Sequence, residues 1–401
     1  MFNHISQFEP LVVSGQSRYF PDLLGQASTL LIESSSFEAS LPLQTRSALA
    51  HLVTGMNCYY SNLIEGHRTL PLAIEKAVRH DFSTEPAQRA LQQLALAHIK
   101  ASQWAYSQRL NAELLTDFII TLHHKFCDSL PVEMLLLEDG SPMLAGVLRR
   151  NEVEVGQHVA PSSDALPQFM ARYATKYGEL LNQPCESGYN RLPGVIAAMA
   201  AHHRLVWIHP FLDGNGRVAR IVLDVMLRQL GANQAGLWSM SRAFAKSEGQ
   251  YKAALANADQ PRMGNLDGQG NLSERCLAEF CAMSLQMAID QVKFMRNTFQ
   301  RDSLSTRVKH YFGNIRLDLR PEAAHLYLEA IYRGEFERGE AGRISGLGER
   351  TARTLLAALV KEGFLQSHSP KGKMHADFPV MALGTLFPNL YPAGDVDKTS
   401  I

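Results

Sequence analysis

The chain has 401 residues, and its 39 basic side chains balance 39 acidic ones, so no global field draws it to nucleic acid or to an anionic membrane. Its length predicts two or three compact units with a sizeable core. The opening MFNHISQFEPLVV lacks the basic-then-apolar run of a signal peptide, no apolar run approaches the roughly 18 residues of a membrane span, and the five cysteines (Cys58, Cys127, Cys185, Cys276, Cys281) form no C-x-x-C pair. A soluble protein of the reducing cytoplasm, without a disulfide framework or a zinc site, is the expectation.

Apolar residues recur at three- and four-residue spacing over 45–65, 113–127, 166–182, 193–208, 217–230 and 273–297, which predicts a mainly α chain. The first of these stretches ends in YYSNLIEGH. Ser61 and Glu65 there lie four apart on one face, and Gly66 stops the helix, so a carboxylate projects from its final turn. Tyr59 and Tyr60 read as packing residues. His123 and His124, and later His202 and His203, read as core histidines, because no cysteine or acid completes a zinc set at ligand spacing. Between 146 and 157, GVLRRNEVEVGQ alternates Val153 and Val155 with Glu152 and Glu154, the period of a short hairpin and the one clear strand signal before residue 360.

The densest chemistry is HPFLDGNGRVAR at 209–220. Pro210 disfavours helical geometry at His209, so the preceding helix ends there and leaves the imidazole at the mouth of a loop. Gly214 and Gly216, with Asn215 between them, tolerate positive φ and can curl their N–H groups into a nest for an anion, at the positive end of the helix that follows. Asp213 can hold Mg²⁺ against phosphate oxygens. Arg217 and Arg220, one turn apart, can grip phosphates bidentately. His209 is the good proton acceptor of the set and can take a hydroxyl proton as that oxygen attacks phosphorus.

The stretch resembles the signature of the Fic family, His-Pro-Phe-x-(Asp/Glu)-Gly-Asn-Gly-Arg-x-x-Arg, with every fixed position present. The resemblance implies a helical core with a hairpin flap. It also implies transfer of AMP from ATP to a Ser, Thr or Tyr hydroxyl of a protein, with release of pyrophosphate. By the same resemblance His209 is the general base, Asp213 holds Mg²⁺, and the 214–216 backbone with Asn215 meets the α-phosphate. Arg217 and Arg220 take the β- and γ-phosphates, and Phe211 anchors the loop. Ser61 and Glu65 are similar to the Ser/Thr-x-x-x-Glu-Gly/Asn inhibitory motif of some relatives, which implies a Glu65–Arg220 pair in the place of the γ-phosphate and an enzyme that is off by default. In some relatives that glutamate also supports removal of AMP from the target. The hairpin resembles the family flap, with Val153 and Val155 as docking residues for an extended segment of the target. Near residue 251 the pattern departs from the family: Tyr251 fits a nucleotide-side aromatic, but Lys252 and Asp259 stand where a second aromatic and an amide are usual.

Polar, Gly-rich sequence at 255–273 and a break around 300–320 suggest a division into an N-terminal helical region with the inhibitory motif (1–110), a catalytic core (111–300) and a C-terminal unit (301–401). The last resembles a winged helix-turn-helix, with Arg350 and Arg353 on a recognition helix and Lys371 and Lys373 in the wing. The expected partners are ATP and a protein target, with DNA through the winged helix and a homodimer as further expectations, and no membrane. The competing reading is a DNA-binding regulator in which the Fic-like core senses nucleotide.

Overall fold

The structure, a computed structural model, describes residues 3–137, 140–156, 158–182 and 191–396. It is built of helices in chain order, α1 (Phe20–Ala39), α2 (Leu43–Ile64), α3 (Pro71–Val78), α4 (Pro86–Tyr106) and α5 (Leu115–Cys127), followed by an antiparallel hairpin of β1 (Glu154–Val155) and β2 (His158–Val159). Then come α6 (Leu166–Asn182), α7 (Arg191–Ile208), α8 (Asn215–Gln229), α9 (Met240–Lys246), α10 (Glu248–Ala258) and α11 (Glu274–Thr298). The stops and starts are local chemistry. Ser239 and Ser273 cap α9 and α11 by accepting N–H bonds from Arg242 and Cys276 at 3.0 and 3.1 Å, and Glu85 caps α4 through Ala87 and Gln88.

Helix α7 is the centre. From Gly194 to Ile208 its residues are buried almost without interruption, including His202, His203 and Arg204, as befits a helix surrounded on all sides. It packs against α6, α8, α1 and α11. The N-terminal segment joins the same core: Phe8 stacks on Trp207 at 5.1 Å, Arg204 donates to the Pro10 carbonyl at 2.8 Å, and Glu9 pairs with Arg172.

After α12 (Arg301–His310) a C-terminal unit follows, α13 (Ala323–Arg333), β3 (Glu335–Phe336), α14 (Ala341–Ser345), α15 (Glu349–Lys361), β4 (Leu365–Gln366), β5 (Met374–Ala376) and α16 (Val380–Leu386). Its three strands pair antiparallel in the order β3-β5-β4. Strand β3 corrects the expectation that the 146–157 region held the one strand signal before 360. A two-residue strand has no period to read, and it is fixed only by pairing Glu335 and Phe336 with His375 and Met374. The unit is not detached from the rest. The Thr45 hydroxyl of α2 donates to the Ile331 carbonyl of α13 at 2.7 Å, and residues 387–396 run back over α2.

Among the described residues no helix is long and apolar enough to cross a membrane. Cys58, Cys127, Cys276 and Cys281 are buried free thiols, and Cys185 lies outside the described residues.

Candidate active site

The site forms where α7 ends and α8 begins. His209 follows the last residue of α7 with φ of 51°, a conformation uncommon for a residue with a side chain and held here by its surroundings. Its carbonyl accepts from Arg149 Nε at 2.8 Å, and the Pro210 carbonyl accepts from the Arg149 amide at 3.0 Å. Burial, aided by nearby His158 and Arg149 and opposed by the Val206 carbonyl, lowers the imidazole to about 4. His209 is therefore neutral at physiological pH and free to accept a proton.

The loop closes on itself. Phe211 is fully buried and lies parallel to the His123 ring, 3.8 Å between centroids. Its N–H donates to Asn215 Oδ1 at 2.9 Å, and Asn215 Nδ2 donates back to the Phe211 carbonyl at 2.8 Å. The Asn215 side chain is thus engaged inside the loop, which leaves its backbone at the start of α8. One correction concerns Gly216. Gly214 does adopt positive φ (79°), as the N-cap of α8, but Gly216 lies within the helix. Gly216 must be small for another reason, since a Cβ there would collide with the Glu65 carboxylate and stand 3.1 Å from Arg220 Nη1.

No side chain of the cap bonds the first N–H groups of α8, which leaves the positive helix end open to an anion. The group that stands over it is Glu65, the residue after α2. Its carboxylate receives Arg220 Nη2 at 2.6 Å, while Arg220 also donates to the Ser61 hydroxyl and carbonyl at 2.9 and 3.0 Å. The Arg220 side chain is 2% exposed and that of Glu65 29%. Burial pushes the Glu65 carboxyl up, but the charge and hydrogen bond of Arg220, with Arg217 and Lys252 behind them, outweigh it and hold the group below the usual carboxylate range. Arg217 is 5% exposed, reaches Asp213 Oδ2 at 3.4 Å, and lies over the Phe126 ring at 5.1 Å.

Asp213 keeps a side chain 52% exposed at the lip of the loop. No cluster of three or more His, Cys, Asp or Glu suited to a metal occurs among the described residues. A single open carboxylate beside an anion cradle suits Mg²⁺ carried in with phosphate and does not suit a protein-only metal cage.

Tyr251 is placed differently from the expectation of a nucleotide contact. It is 2% exposed, stacks on Phe244 at 4.1 Å and donates its hydroxyl to His202 Nε2 at 2.8 Å, so it supports the site from inside. Lys252 pairs with Glu248 at 2.7 Å. Asp259 pairs with His158 of β2 at 3.3 Å and His203 of α7 at 3.1 Å; burial raises it, yet the two imidazoles hold it well below the carboxylate range. Asp259 thereby ties the hairpin to α7, as does His158 Nε2 to the Trp207 carbonyl at 2.7 Å. On the hairpin Val155 is 47% exposed and Val153 half-buried.

Two residues that matter here carried no clear sequence signal. Arg149 is 3% exposed and joins the His209 carbonyl to those of Asn151 and Pro161, at 2.9 and 2.6 Å, so one guanidinium links the 209–214 loop to both arms of the hairpin. His123, read as a core histidine, accepts from the Gly146 amide at 2.9 Å and donates to the Asp213 carbonyl at 3.2 Å. Neither residue belongs to a spaced motif; their partners are main-chain carbonyls and amides, most of them 12 to 90 residues away.

A helical core with its reactive loop between two buried helices and a two-strand hairpin at the rim defines a Fic fold. Residues 113–227 match the Fic/DOC family. A Fic family protein from Desulfovibrio desulfuricans G20 superposes with a TM-score of 0.52 at 15% identity, covering 91% of this chain and 98% of that one. A Fic domain-containing signaling protein from Bacteroides thetaiotaomicron superposes with the same score at 17% identity over 68% and 96%. In sequence the chain is 36% identical over 122 residues to the protein adenylyltransferase Fic of Drosophila willistoni, and 37% identical to that of Drosophila virilis. Each match spans 30% of this chain, and 22% and 23% of those relatives' lengths.

Proposed function

We propose that this chain transfers AMP from ATP to a Ser, Thr or Tyr hydroxyl of a protein and releases pyrophosphate, and that Glu65 restrains the reaction. The observation that carries the proposal is that the site already accommodates an anion: the Glu65 carboxylate over Gly216 at the start of α8, paired with Arg220. A site that holds a carboxylate on a helix N-terminus and a buried guanidinium is built for a phosphate, and the resident acid competes with it.

In this mechanism the target hydroxyl oxygen bonds to the α-phosphorus as the bond to the β-phosphate oxygen breaks. His209, neutral above about pH 4, removes the hydroxyl proton. The amides at the start of α8 and the Arg217 and Arg220 guanidiniums bind the phosphates. Asp213 would hold Mg²⁺, which supplies charge neutralisation of phosphate oxygens when bound. The exposed edge of β1 offers backbone groups to an extended target segment, with Val155 against it. Arg149 and Asp259 keep that edge in register with His209.

The helix–strand–helix–helix–hairpin order of the C-terminal unit supports the winged-helix reading, and we assign it a docking role. Arg350, Arg353, Lys371 and Lys373 are exposed, which is what the DNA-binding reading draws on, but Lys373 shares its charge with Glu335 at 2.7 Å and β5 packs toward α2. A regulator that merely senses nucleotide has no use for a base kept neutral. Incubation with α-labelled ATP and a cell lysate tests the proposal: label should pass to protein, increase with Glu65→Gly and vanish with His209→Ala. Label that survives His209→Ala traces to a contaminating activity, and absence of label in every variant, Glu65→Gly included, together with a gel shift on DNA favours the regulator.

A further inference from the structure

Glu65 sits one residue past the end of α2, and Gly66 at φ of 81° turns the chain away from it. The aim of the carboxylate therefore depends on what fixes the last turn of α2 and the residues after Gly66. Both are fixed by the same distant segment, residues 387–396, which follows α16.

Tyr59 and Tyr60, the two residues before Ser61, are 1% and 2% exposed. The Tyr59 hydroxyl donates to the Asp395 carboxylate, and the Tyr60 hydroxyl to the Leu390 carbonyl at 2.8 Å. Between them the Tyr391 ring stands edge-on to Tyr59 (5.1 Å, 88°) and parallel to Tyr60 (6.0 Å, 4°). On the far side of Glu65, Arg68 pairs with the same Asp395, its Nε at 3.3 Å. Arg242 of α9 secures the segment to the core by donating to the carbonyls of Asn389 and Leu390 at 2.6 and 3.1 Å. Asp395 is itself 4% exposed, so a buried carboxylate bridges the residues that precede and follow Glu65.

Elsewhere the C-terminal unit holds α2 loosely. Leu52, Thr54 and Gly55, in the middle of the helix, border a cavity of about 800 Å³ that they share with His375, Ala376 and Phe378. Contact is firm at the start of α2, through Thr45 and Ile331, and at its end, through the strap.

We infer that the strap of residues 387–396 positions Glu65 on Arg220, so that the C-terminal unit sets how firmly the Fic site is closed to ATP. The inference rests on the reading of Glu65 as a restraint. A strap that merely supported folding would, when loosened, reduce activity; one that positions an inhibitory acid would increase it. The sign of the change separates the two.

The test uses the full chain with Asp395→Asn and with Tyr60→Phe, which keeps the ring and removes one hydroxyl. Each is made alone and combined with Glu65→Gly. AMP incorporation from α-labelled ATP and ATP affinity are measured beside the melting temperature. Each strap variant alone should raise incorporation by about fivefold or more, the effect of one hydrogen bond fully coupled to the restraint. In the Glu65→Gly background the same changes should add nothing. If Glu65→Gly raises incorporation and both strap variants stay at or below the unmodified level, the strap is a folding element and the inference is wrong while the restraint stands. If Glu65→Gly raises nothing, the restraint itself is absent and the inference falls with it.

Discussion

Replacing Glu65 by glycine is the most informative single perturbation of this site. The change removes the 2.6 Å bond to Arg220 Nη2 and leaves that guanidinium, 2% exposed, with Ser61 as its partner. Breaking a buried ion pair costs about 3–5 kcal/mol. Here the cost falls to or below the bottom of that range, because Glu65 is 29% exposed and Ser61 still accepts from two guanidinium nitrogens through its hydroxyl and carbonyl, so about 2–3 kcal/mol is the working figure. Glycine at the C-terminal flank of α2 adds little backbone cost, since helices commonly end on it. If all of that free energy resists ATP, its removal raises kcat/KM for AMP transfer by about thirty- to a hundredfold at 1.4 kcal/mol per decade. Stability should meanwhile fall, lowering Tm by a few degrees. The assay is initial-rate incorporation of α-labelled ATP into a lysate, with ATP Kd measured separately on the pure protein. A variant that loses stability with neither quantity altered would show that the pair serves folding alone, and the restraint would have to be abandoned.

Gly216→Ala should behave oppositely despite being helix-compatible, because its methyl group would occupy the place of the Glu65 carboxylate; ATP binding by calorimetry is expected to be lost even in the Glu65→Gly background. With burial holding His209 at about 4, the kcat/KM profile of the Glu65→Gly enzyme should show no histidine limb between pH 5 and 8, and a limb near 6.5 would contradict a buried neutral base. Burial also lowers His98 and His202 to about 3 and His123 to about 4. For such groups the unfolded chain binds more protons than the folded one below about pH 6.5, so their contribution to stability is intact above that value and is lost as pH falls toward 4. Tm should drop over that window, and a flat profile would contradict it. Arg149→Met should cost about 3 kcal/mol or more by leaving the His209, Asn151 and Pro161 carbonyls unpaired, read as a lower urea midpoint.

How much of this could be seen in the sequence depended on whether the determining partners were near along the chain. The helices at 45–65, 113–127, 166–182, 193–208, 217–230 and 273–297 each carry their own period, and each is observed with ends within about two residues. Helix α4 carries a weak apolar period, because its buried face sets only Leu94 and Ile99 as large apolar residues among Gln92, His98, Ser102 and alanines. The loop residues 209–220 could be read because they are contiguous. The orientation of Asn215 could not, since an amide that folds back on the Phe211 backbone and one that faces a phosphate need the same residue. Asp259 looked like a departure from a nucleotide-binding pattern; its purpose appears only when His158 and His203 are brought beside it from elsewhere. The strap over α2 joins positions more than 300 residues apart, with no local signal.

The decisive experiment follows one label. Purified Glu65→Gly protein, incubated with Mg²⁺, ATP carrying a labelled α-phosphate and a cell lysate, should place that label on protein hydroxyls above the level of lysate alone, while a parallel reaction with label on the γ-phosphate should not exceed the label that lysate kinases incorporate alone, and the His209→Ala double variant should add nothing to either. γ-label on protein above the lysate-alone level, or no α-label above that level with His209 intact, would show that this loop does not do the chemistry its geometry supports.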